Sequence, residues 1–165
     1  MKTRFLLSVL CAAFVAFGCS KNEPAASDAA TAQADTKSGP RTIEITAGDN
    51  MKFNLNSIEA SPGEEIKVVL TNIGTQPKEV MGHNWVLLKA GVDAAAWDAA
   101  AAQAKTEDYL PQAKMGDVII HTKLLGPKQS DEVTFKAPME KGDYTFLCSF
   151  PAHFQVGMRG TLTVK

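Results

Sequence analysis

Cysteine and histidine are both scarce, with three of each in 165 residues. Cys11 falls within an apolar leader, so only Cys19 and Cys148 remain for the rest of the chain. That is too few for a disulfide framework. Basic excess is lacking as well. The formal net charge is −1 at pH 7 and becomes −3 when Lys2 and Arg4 are removed with the leader, which leaves no basic patch and no case for nucleic acid. The apolar run from Phe5 to Phe17 falls short of the roughly 20 residues of a comfortable membrane span. No internal repeat is visible.

What is there begins with MKTRFLLSVLCAAFVAFGCS, in which two basic residues precede an apolar run and small residues follow it. This layout marks residues 1–18 as a secretory signal peptide. The placement of Cys19 directly after Gly18 resembles the lipobox of bacterial lipoproteins, which implies an acylated Cys19 as the first mature residue. Ala16 and Phe17 depart from the usual box, and plain cleavage after Gly18, leaving Cys19 a free thiol, is the alternative. Either route places the protein outside the cytoplasm, in the periplasm or on the outer surface, and acylation adds a membrane anchor. Residues 19–40 are rich in Ala, Ser, Thr and Asp, with little to bury, and are predicted to form a flexible tether. Residues 41–165 are long enough for a single domain with its own core.

Within that domain RTIEITA, KFNLNSIEA, EIKVVLTN, NWVLLKA, VIIHTKLL, DEVTFKA, DYTFLC and GTLTVK alternate apolar and polar residues between turn signals such as Ser61-Pro62-Gly63 and Lys141-Gly142-Asp143. Eight short strands so punctuated predict an all-β, Greek-key β-sandwich. The segment GVDAAAWDAAAAQAK (Gly91 to Lys105) breaks the pattern. Its alanine content predicts one inserted helix, capped by Asp93 and packed on the sandwich through Trp97.

The stretch CSFPAHFQVGM gathers Cys148, His153 and Met158 in one loop behind a strand, and His83 sits at the start of another apolar segment. Taken singly, each of these is ordinarily a packing or hydrogen-bonding residue. Together, two imidazoles, a thiolate and a thioether match the trigonal His₂Cys site with a weak axial Met that suits copper. Thiolate and thioether favour Cu(I), while imidazole accepts both oxidation states. Zinc is the rival metal, but a structural zinc site takes four strong ligands and does not select Met.

The segments VMGHNWVLLK, HTKLLG, DYTFLCSFPAH and GTLTVK resemble those of azurins and auracyanins, cupredoxins that pass one electron through a type 1 copper. The resemblance spans about Thr42 to Lys165, and the leader with its tether is similar to that of lipid-modified azurins. It implies equatorial ligands at His83, Cys148 and His153, an axial thioether at Met158 and a distant axial carbonyl at Gly82. It further implies that Asn84 pins the thiolate loop and that Phe150 is an aromatic beside the metal. Three features depart from azurins. Four residues separate His153 from Met158, as in auracyanins; cysteines for an N-terminal disulfide are missing; and Asn72 stands where some azurins carry a titrating histidine.

An electron carrier is the leading function, with transient docking of redox proteins such as cytochromes or copper reductases near His153, where Met81, Ala152 and Phe154 are expected to form an apolar rim. A copper enzyme would need a second metal with several more histidines, and only His121 remains, expected at the surface. A cysteine hydrolase using Cys148 and His153 would leave Gly82 and Met158 unexplained. Copper storage or delivery is the remaining alternative, since it requires the same ligands.

Overall fold

The computed structural model describes residues 39–165. The predicted signal peptide, Cys19 and nearly all of the predicted tether lie outside the described residues. The strands are β1 (Arg41–Gly48), β2 (Lys52–Phe53), β3 (Ser57–Ala60), β4 (Glu65–Asn72), β5 (Val86–Leu88), β6 (Val118–His121), β7 (Ser130–Lys136), β8 (Gly142–Leu147) and β9 (Arg159–Val164). They form a four-stranded sheet in the order β2-β1-β4-β7 and a five-stranded sheet in the order β3-β9-β8-β5-β6. The β1/β4 and β3/β9 pairs are parallel, and the other named pairs are antiparallel.

Alternation decides which side chains point inward. In β4, Ile66, Val68 and Leu70 are buried while Lys67, Val69 and Thr71 are partly exposed. The register sets Ile43 of β1 beside Val68 and Ile45 beside Leu70. These apolar side chains face Tyr144, Phe146, Leu162 and Val164 of the second sheet in one core. Trp85 joins the layers, with its ring centroid 6.1 Å from that of Phe135 and 5.5 Å from that of Phe146. Burying each such side chain contributes about 1.5–3 kcal/mol.

β5 is buried on both faces because a helix covers the second sheet from outside. Leu87 points into the main core, whereas Val86 and Leu88 meet Trp97 and Ala101 of α2 (Ala94–Ala101), together with Leu110, Val118, Leu147 and Phe154. The predicted cap is present, since Asp93 Oδ1 accepts from Ala95 N and Ala96 N at 3.0 and 3.1 Å. The helix is shorter than its alanine run. Ala104 N bonds Ala101 O, an i to i−3 closure that tightens the last turn, and Asp108 and Tyr109 then adopt positive φ. A single helical turn, α1 (Lys78–Met81), leads into Gly82.

The predicted strand over KFNLNSIEA is two strands on different sheets, which brings the number of named strands to nine. Asn54 and Asn56 cause the break. Asn54 Oδ1 accepts from Thr46 N, and Asn56 O accepts from Thr161 N, so the chain leaves β1 and crosses to β9. The VIIHTKLL segment is strand only as far as His121, because the Thr122 hydroxyl takes the Trp85 N–H at 2.9 Å in place of a ladder carbonyl.

Candidate metal centre

The centre lies at one end of the sandwich, where three separately placed segments meet. His83 follows α1 and is tied to Leu125 by two backbone hydrogen bonds, His83 N to Leu125 O at 3.1 Å and Leu125 N to His83 O at 2.8 Å. Cys148 directly follows β8, and its N–H donates to Met158 O at 3.1 Å, which closes the loop between β8 and β9. Inside that loop His153 N donates to Phe150 O at 3.1 Å, and Met158 N to His153 O at 2.9 Å. The loop is therefore a self-bonded unit rather than a free connection.

The donors converge. Cys148 Sγ is 3.4 Å from His153 Nδ1 and 3.9 Å from His83 Nδ1, and one donor atom from each residue lies within 4.8 Å of the others. The two imidazole centroids are 4.9 Å apart. His83, Cys148 and Met158 are fully buried, and His153 is 1% exposed. Among the described residues this is the one group of three or more His, Cys, Asp or Glu side chains so arranged.

Burial governs the protonation of the site. It pushes the Cys148 thiol up to about 12, only partly offset by hydrogen bonds from the Asn84 and Phe150 backbone N–H groups, while the Asp98 charge pushes it further up. Burial also lowers both imidazoles to about 4. Asp49 and the Gly48 backbone act against this at His83, and His83 adds to it at His153. Near neutral pH both rings are thus uncharged, with a lone pair available, and the sulfur keeps its proton until a cation displaces it. His83 Nε2 is buried and has no hydrogen-bond partner among the described residues.

The supporting contacts are specific. Asn84 Nδ2 donates to Ser149 Oγ at 2.7 Å, and Ser149 N donates to Asn84 Oδ1 at 2.8 Å. The Phe150 ring lies 4.8 Å from the His153 ring and 5.0 Å from that of Tyr109. Gly82 has a steric reason to be glycine. A Cβ there would stand 2.7 Å from Lys78 O and 3.1 Å from the Leu124 side chain. Asn72 is buried and occupied with backbone, donating to Leu125 O and accepting from Gly74 N. His121 is half-buried on β6, with Nδ1 3.0 Å from Thr122 O, away from the donor group.

The rim differs from expectation. Ala152 is exposed and Met81 half-buried, but Phe154 turns inward to the α2 cluster, with the Arg159 guanidinium 4.5 Å from its ring centroid. Ser149, the partner of Asn84, and Thr122 carry no signal in the sequence. Neither is a metal donor, and each acts through a contact that spans tens of residues.

A buried thiol and two neutral imidazoles grouped on a β-sandwich define a soft-donor metal protein, and this set fits copper. The model for copper binding proteins of the plastocyanin/azurin family matches residues 41–165, and the chain belongs to that family. It is 39% identical over 127 residues to azurin from Pseudomonas aeruginosa, covering 75% of this chain and 84% of that one. The crystal structure of dithionite-reduced auracyanin from Roseiflexus castenholzii superposes with a TM-score of 0.67 at 38% identity, covering 77% of this chain and 99% of that one. Auracyanin A of Chloroflexus aurantiacus, described as a "blue" copper protein, gives 0.68 at 32% identity, with 77% and 100% coverage. The cofactor of the family is copper, and His83, Cys148 and His153 are the grouped donors for it here.

Proposed function

We propose that the chain carries single electrons between redox proteins outside the cytoplasm, with His83, Cys148 and His153 as strong copper ligands, Met158 as a weak axial thioether and the Gly82 carbonyl as a distant axial neighbour. The observation that carries this reading is the preassembly of three buried donors, held within 4.8 Å of one another by hydrogen bonds that involve no metal. When bound, copper supplies a one-electron Cu(II)/Cu(I) couple.

The protein's own part is to keep the donors in place. The Asn84 to Ser149 pair holds the thiolate segment against the His83 segment, and the Cys148 to Met158 bond holds the two ends of the loop together. A cage that moves little keeps reorganisation small as charge changes. Complete burial of the strong donors also excludes water and speaks against copper delivery, which needs a partner's ligands to reach the metal.

Electrons pass by way of His153, at a docking face built from the exposed Ala152, the half-buried Met81 and the exposed Val80 and Val156 on the two ligand-bearing segments. Cytochromes or copper reductases are the class of partner that such a small apolar face suits. Acylation of Cys19 and the tether behind it would hold this domain at a membrane.

The test is addition of Cu(II) to the purified protein, followed by visible absorption and electron paramagnetic resonance, with Cys148→Ser beside it. An intense blue thiolate-to-copper band with narrow hyperfine splitting, lost in the variant, is expected. A colourless product, or equal binding without the thiol, would refute the reading.

A further inference from the structure

Helix α2 has a carboxylate where its sequence gives no reason for one. In AAAWDAAA every position except Trp97 and Asp98 is alanine, and Asp98 is fully buried beside Trp97 instead of facing water. Aspartate is a weaker helix former than alanine, and a buried carboxylate is costly unless paired. Asp98 takes part in none of the ion pairs among the described residues, and its Oδ1 has no hydrogen-bond partner. Its one polar contact is with the ligand loop: Gln155 Nε2 donates to Asp98 Oδ2 at 2.5 Å.

That contact falls on the span whose length departs from azurins. Gln155 is one of the four residues between His153 and Met158, and its neighbour Phe154 packs into the same cluster as Trp97. The loop is thus fastened to α2 twice, by an apolar ring and by an amide on a buried carboxylate. The field of Asp98 also reaches the Cys148 sulfur, where it opposes further negative charge. A negative charge at this place favours the more positive of two metal states.

We propose that Asp98 is a positioning residue of the metal centre: its carboxylate fixes the His153 to Met158 span through Gln155, and its charge holds the bound metal toward the oxidised state. This rests on the copper reading above. The groups facing Asp98 are few. Its own helix and β5 bear no other charge, the Gln112–Asp117 segment that Trp97 bonds carries Lys114 and Asp117, the loop from Ser149 to Met158 contributes only His153 as a titratable side chain, and Cys148 is coupled through space; Arg159 is engaged on Phe154. Burial raises the Asp98 pKa, so acidification places a proton on this carboxylate and removes the charge.

The experiment measures the redox equilibrium of the copper-loaded protein against a mediator at pH 8 and at successively lower pH, with Asp98→Asn and Gln155→Leu. In each case one electron moves from the reduced mediator to Cu(II), and at the lower pH a proton from solvent is taken up at Asp98. Asparagine keeps an acceptor for Gln155 but loses the charge. At pH 8 Asp98→Asn should favour the reduced state about tenfold, about 59 mV for one electron. That gap should narrow as the pH falls and the wild-type carboxylate takes up a proton. Gln155→Leu, at an exposed backbone position, keeps the charge and frees the span, and should alter the hyperfine splitting. Identical equilibria for wild type and Asp98→Asn at pH 8, in proteins that both show the blue band, would overturn the inference while leaving the copper reading intact. A wild type with no blue band would overturn both.

Discussion

Asn84 and Ser149 hold each other by two hydrogen bonds, amide to hydroxyl at 2.7 Å and backbone N–H to amide oxygen at 2.8 Å, across a sequence separation of 65 residues. Both residues are fully buried, so each bond lost leaves a polar group that water cannot reach. Asn84→Ala should destabilise the metal-free protein by about 2–4 kcal/mol in urea unfolding. Ser149→Ala, which keeps the bond from Ser149 N to Asn84 Oδ1, should cost less. Equal losses for the two variants would mean that packing, not the bond to Ser149 N, holds the segments together.

Met158 is buried in the core, and the proposed function also makes it an axial ligand, so the two roles can be separated. Met158→Leu conserves volume and should change the stability of the metal-free protein by less than about 1.5 kcal/mol. Replacing the thioether by a hydrocarbon makes the surroundings of the metal less polar, which disfavours the more highly charged Cu(II), so the potential of the loaded protein should rise while the blue band persists. Voltammetry beside metal-free unfolding checks both parts.

Acid should weaken the metal-free fold in a defined window. His83 and His153 have folded-state pKa values lowered to about 4, against 6.5 in the unfolded chain. Between these values the unfolded chain binds more protons, so stability rises with pH there. The contribution is complete above about pH 6.5 and is lost as pH falls toward 4, at a rate approaching 1.4 kcal/mol per pH unit for each imidazole. Urea midpoints from pH 7.5 to 4 should show this slope, and Cys148→Ser should retain it, since the thiol is protonated throughout.

Ala152 adopts φ +72° in the ligand loop, a left-handed conformation that costs an L-residue roughly 1–2 kcal/mol. Ala152→Gly removes the Cβ conflict but adds unfolded-state entropy, and should stabilise the protein by up to about 1 kcal/mol. Because the residue is exposed, little packing is lost. A thermal shift in the opposite direction would show that the methyl group makes contacts worth more than the strain.

The alternating strands and the ligand loop were legible for the same reason: their information is local. Ile66, Val68 and Leu70 declare their face within one strand, and Cys148, His153 and Met158 share one short segment. Asp93 likewise announces the helix that it caps. The parallel pairing of β1 with β4 and of β3 with β9 was hidden, because register between distant strands leaves no mark in either one. Asn54 and Asn56 read as ordinary strand residues until their partners Thr46 and Thr161 are in view. Nothing in the helix sequence singles out Asp98, and only the fold brings Gln155 to it from 57 residues away.

The separation of 65 residues between His83 and Cys148 also bears on how the protein is made. His83 is synthesised well before the thiol, and the loop that bears Cys148 is closed by the bond to Met158, just before β9 begins. An ion arriving early would meet one imidazole and no cage. The donors come from separate segments that the two packed sheets bring together, so the complete ligand set exists only in the folded domain.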